Sequence, residues 1–454
     1  LLFIINEKYY HFSLIHNEQF QHFIFIYNEK SYIFAIKSPI IMKELLKHII
    51  FDQREKDISQ MIERDIDMSC VNNPEVLVIS GIRRCGKSVL LQQIRSQQSE
   101  QDFYMNFDDE RLINFKVDDF QTLYEAFIEL FGEQKTFYFD EIQNIPGWER
   151  FVRRLHDSGC KVFVTGSNAN MLSRELGTHL TGRYCQIELY PFSFPEFLKM
   201  KEAYPQQKDF YTTTGKSMLK KHFDEYLKTG GFPRYIKDRN NNYLSTLYEN
   251  IIYKDVVARN KLNGERELLE MVYYLASNAK KRFSYSSLAK TIGIKHTETV
   301  KNYLEYLENT YLLFQVMKFD WSVKKQMNNK KKVYFIDNAI IGKVGFNATD
   351  NIGQLLENLV FIEIKRQGKE IYYHDDGIEC DFIMRENGHI VSACQVTRSM
   401  KDEKTRQREI NGLISALNTY NLTEGIILTD DETEERTIDN KTIHIIPIWR
   451  WLLR

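Results

Sequence analysis

The octapeptide GIRRCGKS at 81–88 has the residue types and the spacing of a phosphate-binding loop. Two glycines separated by four residues allow a tight turn whose backbone N–H groups point inward, toward phosphate oxygens. The lysine and serine that follow supply a cation for the β- and γ-phosphates and a hydroxyl ligand for Mg²⁺. We therefore predict an ATP–Mg²⁺ site in which Lys87 contacts the phosphates and Ser88 binds the metal.

The flanking segments favour a phosphate loop over the alternative of a plain glycine turn. Residues 76–79 are continuously apolar, as in a parallel strand covered on both faces, and VLLQQI at 89–94 has apolar residues at helical spacing. A strand, a loop and a helix in this order direct the positive end of the helix dipole at the phosphates. The nucleotide contacts predicted from this segment are Gly81, Arg84, Cys85, Gly86, Lys87, Ser88 and Val89.

Two later strands end in polar side chains that suit the same site. Asp140 and Glu141 follow the apolar run at 137–139, so Asp140 is expected to bind Mg²⁺ and Glu141 to act as general base on water. Ser167 and Asn168 follow the run at 162–164. These two residues are expected either to contact the γ-phosphate or to cap the next helix.

These segments, with VTGSNANMLSRELGTHLTGRY and ELYPFSFPEFL, resemble the prokaryotic AAA+ ATPases that carry a further C-terminal domain of unknown function. The resemblance covers nearly everything from Met42 to the C-terminus. It implies a P-loop α/β domain with a parallel sheet, in which Asp140 and Glu141 are the Walker B acids. It also implies that Ser167 and Asn168 form the first sensor.

The same resemblance implies a role for one of two arginines. Arg183, in TGRYCQIELY, matches the position of an arginine that acts on a neighbouring subunit's nucleotide, which implies a homo-oligomer; Arg174 is the weaker candidate. A guanidinium suits this role because it neutralises charge that develops on the γ-phosphoryl group. The alternative for Arg183 is an ordinary surface ion pair.

A small helical lid is expected at 205–262. Gly230, Gly231 and Pro233, in FDEYLKTGGFPRYIK, should end one helix and begin another. In the family that the chain resembles, this motif packs near the nucleotide, which makes Arg234 a candidate second sensor.

Residues 263–335 are predicted to form a winged-helix module. Three helical patterns are followed by an alternating segment that predicts a two-stranded wing with its turn at Asn328–Asn329. A basic cluster at the expected wing tip favours DNA phosphates as a partner, and the alternatives are protein docking or a solvated hairpin. The lysines of this cluster are Lys324, Lys325, Lys330, Lys331 and Lys332.

The segment 336–454 resembles the PD-(D/E)xK nuclease core with part of its site missing. Glu357 lies on a predicted helix, and Asp381 lies on a predicted strand. Gln395 stands where the second strand acid belongs, and Thr397 replaces the lysine that orients water. Lys365, from the helix, is the candidate substitute for that lysine. We expect a restriction-nuclease-like domain that does not cleave; the alternative is a nuclease in which Glu357, Asp381 and Gln395 bind a metal.

The whole chain is long enough for several domains, and the divisions predicted are 1–41, 42–204, 205–262, 263–335 and 336–454. The first 41 residues lack eight residue types, methionine among them, so we interpret them as a non-native or disordered extension before a true start at Met42. The net charge of -1 excludes a strongly basic or acidic protein and leaves only local polyanion sites. Six scattered cysteines and the absence of a long apolar run favour the reducing cytoplasm.

The sequence thus predicts a cytoplasmic, Mg²⁺-dependent AAA+ ATPase coupled to a winged helix and a nuclease-like domain. Two other interpretations stay open: an ATP-regulated nuclease, and a binding protein that switches with nucleotide and hydrolyses it too slowly to matter.

Overall fold

A computed structural model describes residues 2–6, 9–13, 24–27, 39–54, 61–167, 180, 182–346 and 351–454. Ahead of the nucleotide domain, three short strands form a small sheet in the order β2-β1-β3. The first helix begins at Pro39, three residues before Met42, and the interpretation of residues 1–41 stays a prediction. These elements are β1 Leu2–Asn6, β2 Tyr9–Ser13, β3 Ile24–Tyr27 and α1 Pro39–Arg54.

The nucleotide domain is built on a five-stranded parallel sheet in the order β5-β6-β7-β4-β8. The three inner strands of this sheet are mostly apolar and buried, because helices cover both of its faces. The strands are β4 Val76–Gly81, β5 Phe103–Asn106, β6 Thr136–Asp140, β7 Lys161–Gly166 and β8 Tyr184–Leu189. The helices are α2 Met68–Asn72, α3 Lys87–Ser96, α4 Phe120–Phe131 and α5 Trp148–Asp157, with short 3₁₀ turns at Glu110–Leu112, Val117–Asp119 and Ile142–Asn144.

A helical segment follows the fifth strand of that sheet. As predicted, one helix ends at Thr229 and the next begins at Pro233, with the two glycines between them. The helices are α6 Phe194–Met200, α7 Thr213–Thr229, α8 Pro233–Asp238 and α9 Asn241–Asn250, with a 3₁₀ turn at Gln207–Phe210. The chain then continues without a break into a π-helix, Ile251–Ala258.

The middle segment has the three predicted helices and the two predicted strands, and its winged-helix assignment stays a prediction. The two strands pair antiparallel. The prediction of a simple turn between them at Asn328–Asn329 is wrong. A short helix fills the connection between the two strands. Ser322 caps its start, because the Ser322 hydroxyl accepts a hydrogen bond from the backbone N–H of Lys325. The elements are α10 Glu265–Ser277, α11 Tyr285–Ile292, α12 Thr297–Asn309, β9 Leu313–Met317, α13 Val323–Asn328 and β10 Lys331–Phe335.

The C-terminal segment forms a six-stranded mixed sheet in the order β11-β12-β13-β14-β16-β15. Antiparallel pairs at both edges flank the parallel neighbours β13, β14 and β16. The helices are α14 Asn338–Val344, α15 Ile352–Arg366, α16 Glu403–Thr419 and α17 Ile448–Trp451. The strands are β11 Glu370–Asp375, β12 Glu379–Glu386, β13 His389–Val396, β14 Glu424–Thr429, β15 Glu434–Ile438 and β16 Lys441–Pro447.

One continuous apolar core joins segments that the sequence divided into modules. It runs from Ile79 in β4 through Phe223 and Leu304 to Leu355 and Leu428 in the C-terminal segment. Contiguous burial of this kind resists relative motion of the joined elements, because separating them would expose apolar surface to water. The nucleotide domain has a second core of its own on the other face of its sheet.

The cysteines depart from the expectation of scattered free thiols. Cys70 and Cys185 form a disulfide between α2 and β8, with 5.7 Å between their Cα atoms. Cys85, Cys160, Cys380 and Cys394 are free and buried. None of the helices in the described ranges has the length and apolarity that a bilayer span needs.

Candidate nucleotide site and the carboxylate cluster of the C-terminal domain

The GIRRCGKS loop connects β4 to α3, as predicted, and its glycines have backbone conformations that other residues resist. Gly86 precedes the helix with φ of 107°, in the left-handed region. Gly81 lies against β8 so closely that an added Cβ atom would stand 2.1 Å from the carbonyl oxygen of Leu189. Both glycines are therefore required by the local geometry.

Lys87 is buried, with a carbonyl oxygen and a carboxylate near its ammonium group. It is 3% exposed, and its Nζ atom donates to the carbonyl oxygen of Ile82 at 3.2 Å. The carboxylate of Glu141 lies 3.6 Å from the same Nζ atom. Burial lowers the pKa of Lys87, but the negative charges around it, Glu141 first and then Cys85 and Asp140, together outweigh burial and raise the pKa, so the ammonium is charged.

Asp140, at the end of β6, is fully buried and oriented by residues that the sequence did not single out. The hydroxyl of Thr165, on β7, donates to its Oδ1 at 2.5 Å. The hydroxyl of Tyr104, on β5, lies 3.5 Å from its Oδ2. Burial and the neighbouring Glu141 raise the pKa of Asp140 by more than the hydroxyls of Thr165 and Ser88 and the charge of Lys87 lower it. A carboxylate of this kind beside the hydroxyl of Ser88 is a fitting donor pair for Mg²⁺.

Glu141 is held in a strained backbone position and stays ionised. Its φ is 51°, and its backbone N–H donates to the Thr165 hydroxyl at 2.9 Å. The Gln143 amide donates to its carboxylate at 2.5 Å and reaches Ser167 Oγ at 3.4 Å. Burial raises the pKa of Glu141, but Lys87 and the Gln143 hydrogen bond outweigh burial and lower the pKa. An ionised carboxylate at this point can accept a proton from water.

The sequence could have identified Thr165 and Gln143 by position. Thr165 stands at the end of β7 beside the end of β6, one step past the paired residues Phe139 and Val164. Gln143 lies two residues after Glu141 in the DEIQN motif. Ser167 is buried beside Gln143, whereas Asn168 and Arg174 lie outside the described residues.

Arg64, a buried arginine that the sequence analysis missed, holds the phosphate loop by hydrogen bonds. Arg64 donates to Glu196 Oε1 at 2.7 Å, to the carbonyl oxygen of Cys85 at 2.9 Å and to that of Tyr190 at 2.7 Å. Burial raises the pKa of Glu196, but Arg64 outweighs burial and lowers the pKa. The charged pair thus ties the phosphate loop to the start of α6.

The phosphate loop also contacts the elements that follow it in the chain. Arg83 makes a two-pronged contact with the carboxylate of Asp255 in the π-helix, at 2.8 and 2.9 Å. The hydroxyl of Tyr311, beyond α12, donates to Ser80 Oγ at 2.9 Å just ahead of the loop. Through these contacts, a displacement of the phosphate loop would act on the π-helix and on the middle segment.

A cavity of about 590 Å³ opens above the phosphate loop. Its walls come from the loop, from the end of β6 and from α8 and α9, which is the position predicted for the lid. Arg234 lies on this wall, pairs with Asp238 at 3.3 Å and stacks over Tyr243 at 5.6 Å. The cavity also has apolar lining at Met61, Ile62, Met200 and Pro233.

Arg183 is engaged within its own chain. Its guanidinium pairs with Asp157 at 2.7 Å, and its side chain is 39% exposed. This is the surface ion pair that the sequence analysis kept as the alternative. A role toward a neighbouring subunit stays a prediction.

The predicted cluster of five wing-tip lysines is wrong for two of its members. Lys324, Lys325 and Lys330 are exposed, but Lys331 and Lys332 are buried in β10. Lys331 lies over the ring of Tyr285 and donates to the carbonyl oxygens of Met327 and Asn329. The prediction failed because α13 lengthens the connection between the strands. Lys331 and Lys332 therefore lie in β10 and not at the tip of the connection.

Lys332 instead lies among the carboxylates of the C-terminal segment. Its Nζ atom is 2.6 Å from Glu379, 3.2 Å from Asp381 and 3.3 Å from Glu357. The sequence analysis had proposed Lys365 as the substitute lysine for this place. Lys365 lies over the ring of Phe314 instead, 5.7 Å from its centroid.

Gln395 does not offer its oxygen to a metal. Its Oε1 atom accepts the backbone N–H of Asp381 at 2.9 Å, and its Nε2 atom donates to Glu409 at 2.5 Å. Within the described ranges, no group of three or more His, Cys, Asp or Glu side chains is arranged to hold a metal ion. The cavity beside these residues, about 740 Å³, is lined by cations and carboxylates together.

Comparison with known proteins defines the class of the first domain. Residues 73–198 match the AAA domain family, and residues 220–350 match a domain of unknown function, DUF8612. The first match contains the phosphate loop, the acids after β6 and the parallel sheet. The chain therefore contains an AAA-type ATPase domain, which is a nucleotide-binding fold.

Relatives extend over most of the chain. The uncharacterized protein MJ1544 of Methanocaldococcus jannaschii is 34% identical over 443 residues, covering 93% of this chain and 98% of the relative. An uncharacterized protein of Haemophilus influenzae is 32% identical over 422 residues, covering 88% and 98%. The chain belongs to the same family as these archaeal and bacterial proteins.

Solved structures show only distant likeness. PCH-2 of C. elegans aligns over 47% of this chain and 61% of that chain, with 11% identity and a TM-score of 0.28. Cdc6p of Pyrobaculum aerophilum aligns over 73% and 96%, with 13% identity and a TM-score of 0.26.

Proposed function

We propose that the protein binds ATP with Mg²⁺ in the cavity above the phosphate loop and hydrolyses it. The observation that carries this proposal is the placement of Lys87, Asp140 and Glu141 at one edge of the sheet, with Glu141 ionised. Lys87 would hold the β- and γ-phosphates, and Ser88 and Asp140 would hold the metal ion. Mg²⁺ would supply charge neutralisation on the phosphate oxygens.

Glu141 is the residue that we expect to take a proton from the attacking water. The Lys87–Glu141 contact of 3.6 Å supports this order of events. When phosphate draws the ammonium away, the Glu141 carboxylate loses its nearest cation and becomes a better base. Gln143 and Thr165 would act as positioning residues, because they hold the carboxylate and the backbone of Glu141.

The experiment is phosphate release from ATP by purified full-length protein. Lys87→Ala should abolish ATP binding and turnover, whereas Glu141→Gln should keep binding and slow turnover by about 10²-fold or more. Lys208→Ala and Glu249→Gln change the same residue types at exposed positions outside the cavity and serve as controls. ATP binding that survives in Lys87→Ala, or turnover unchanged in Glu141→Gln, would contradict the proposal. Tight binding by the unaltered protein with negligible turnover would favour the nucleotide switch.

We also propose a DNA contact at α13. Lys324 and Lys325 are exposed there, next to Trp321, which is 75% exposed. Cations bind backbone phosphates and an exposed indole can stack on a base. The double change Lys324→Glu and Lys325→Glu should weaken duplex binding, measured by fluorescence anisotropy over a salt series, and Lys216→Glu with Lys221→Glu on α7 is the control. Equal affinities of the two double variants would rule this contact out.

A further inference from the structure

The carboxylate cluster of the C-terminal domain has no free oxygen. It consists of Glu357 on α15 and of Glu379 and Asp381 on β12. Lys332 contacts one oxygen of each, and Lys280 lies 3.1 Å from the other oxygen of Glu357. Arg282 lies 3.4 Å from the other oxygen of Glu379. The backbone N–H of Val396 donates to the other oxygen of Asp381 at 3.0 Å.

Each carboxylate of this cluster has a cation beside it. Lys332 contacts all three, Lys280 adds a second cation to Glu357, and Arg282 is shared between Glu379 and Asp375. A buried carboxylate with a cation beside it is less costly than an unpaired one, which would take up a proton or a metal ion. The hydroxyl of Tyr334 adds a donated hydrogen bond to Glu357 at 2.7 Å.

Lys332 has little room to move out of this position. It is 1% exposed, and its ammonium lies 5.5 Å from the centroid of the Tyr373 ring. Burial lowers the pKa of Lys332, but the carboxylates and Tyr334 outweigh burial and raise the pKa well above the ordinary lysine value. The site therefore holds a permanent positive charge supplied by β10.

We propose that Lys332 is the built-in cation of this cluster and occupies the place that a divalent metal ion would take. The cluster is then a metal-independent junction that joins β10 and the loop after α10 to the C-terminal sheet. This inference goes beyond the proposed ATP hydrolysis and does not depend on it. It also gives a chemical reason to expect no cleavage, because the oxygens that would bind a metal already have donors.

The opposite arrangement is that of a metal-dependent nuclease. Lys332 could serve as the water-orienting lysine of a nuclease, with Glu357 and Asp381 free to bind a metal when it is added. The structure favours the built-in cation because the amide oxygen of Gln395, the third predicted ligand, is bonded to the backbone N–H of Asp381. The two arrangements differ in what added metal does.

The test is Mn²⁺ titration of nucleotide-free, full-length protein, with free Mn²⁺ read by electron paramagnetic resonance. The unaltered protein and the control Lys330→Gln, an exposed lysine nearby, should show no metal site that depends on Asp381. Lys332→Gln leaves the carboxylates without their central cation, so this variant should gain a Mn²⁺ site, with an affinity on the order of tenfold above any Mn²⁺ binding by the unaltered protein, because affinity rises with the charge of the free ligands. Adding Asp381→Asn to Lys332→Gln should remove the gained site.

Two results would overturn the proposal. The first is a Mn²⁺ site in the unaltered protein that Asp381→Asn removes, or metal-dependent nicking of plasmid DNA that the same change removes. The second is a folded Lys332→Gln protein, judged by circular dichroism, that gains no Mn²⁺ affinity. If Lys332→Gln does not fold, the comparison of the unaltered protein with Asp381→Asn still decides the question.

Discussion

At the scale of single residues, the surroundings of each carboxylate determine its charge. Glu141 is half-buried beside Lys87 and is ionised, whereas burial of Asp140 and its proximity to Glu141 raise the pKa of Asp140. Asp381 also stays a weak acid, because burial and the repulsion of Glu357 outweigh Lys332 and raise its pKa to about 7. Residue identity alone does not reveal these differences, because they depend on which charges lie within a few ångströms.

Asp337 provides a pH prediction. It accepts hydrogen bonds from the backbone N–H groups of Gly231, at 2.6 Å, and of Ala339, at 2.8 Å. Burial nevertheless raises its pKa to about 7. Between its ordinary pKa and this value the unfolded chain is ionised while the folded chain keeps the proton. The free energy of unfolding should therefore fall as pH rises from about 4 to 7, by up to about 4 kcal/mol from this residue.

The measurement for Asp337 is urea denaturation at a series of pH values. Asp337→Asn should lower stability by roughly 1–3 kcal/mol at acidic pH, because one backbone N–H loses its acceptor, and should flatten the fall toward neutral pH. Asp118→Asn, an exposed change of the same type, is the control. A pH profile of Asp337→Asn parallel to that of the unaltered protein would show that Asp337 does not titrate in this range.

At the scale of elements, the phosphate loop is tied to parts of the chain that are remote in sequence. Arg64 ties it to α6, Arg83 ties it to the π-helix, and Tyr311 contacts the strand that leads into it. A π-helix is uncommon and is found mainly at functional positions. Here it places the buried carboxylate of Asp255 opposite Arg83.

The Arg83–Asp255 pair should contribute measurably to stability. Removing Arg83 leaves Asp255 with Arg259 at 3.9 Å as its remaining close cation. Because Arg83 is partly exposed, we expect a coupling energy of about 2 kcal/mol, below the range for fully buried pairs. A double-mutant cycle with Arg83→Ala and Asp255→Ala, read by urea denaturation, measures it.

The exposed pair Arg266–Glu270 on α10, at 2.8 Å, is the matched control for that cycle, with an expected coupling of about 0.3–0.5 kcal/mol. Equal coupling energies for the two pairs would mean that the contact with the π-helix adds nothing beyond a surface ion pair.

At the scale of the whole molecule, the segments share one core, and polar contacts join them as well. The Asp337–Gly231 contact ties the break between α7 and α8 to the C-terminal segment, and the Lys332 cluster ties β10 to the mixed sheet. The predicted modules are therefore contiguous in the fold, and a change at the nucleotide site has packed elements through which to act.

The oligomer prediction belongs to this scale. If Arg183 acts on a neighbouring subunit's nucleotide, ATP turnover per subunit should rise with protein concentration, and Arg183→Ala should remove that rise. The pair with Asp157 must open for this to occur, so Asp157→Asn should leave the rise intact or strengthen it. Turnover per subunit that is independent of concentration, together with unchanged turnover in Arg183→Ala, would leave Arg183 as a surface ion pair. Steady-state phosphate release over a range of protein concentrations makes the measurement.

The sequence by itself determined the local features of this protein. The glycine spacing and the apolar run before it were enough for the phosphate loop, because strand, loop and helix lie within 25 residues and follow from local backbone rules. The acids after β6 and the helix break at Gly230–Gly231 were found in the same way. The periodicity of apolar residues also predicted most of the order of helices and strands in the middle and C-terminal segments.

Only the tertiary structure decided which distant groups meet. Thr165, Arg64 and Asp255 reach the nucleotide site from other elements, and no local pattern marks them. Lys332 was assigned to a solvent-exposed tip because charge patterning cannot show that a strand will carry it into a ring of carboxylates. Burial and pairing are long-range properties, and they changed a predicted DNA contact into the cation of a buried cluster.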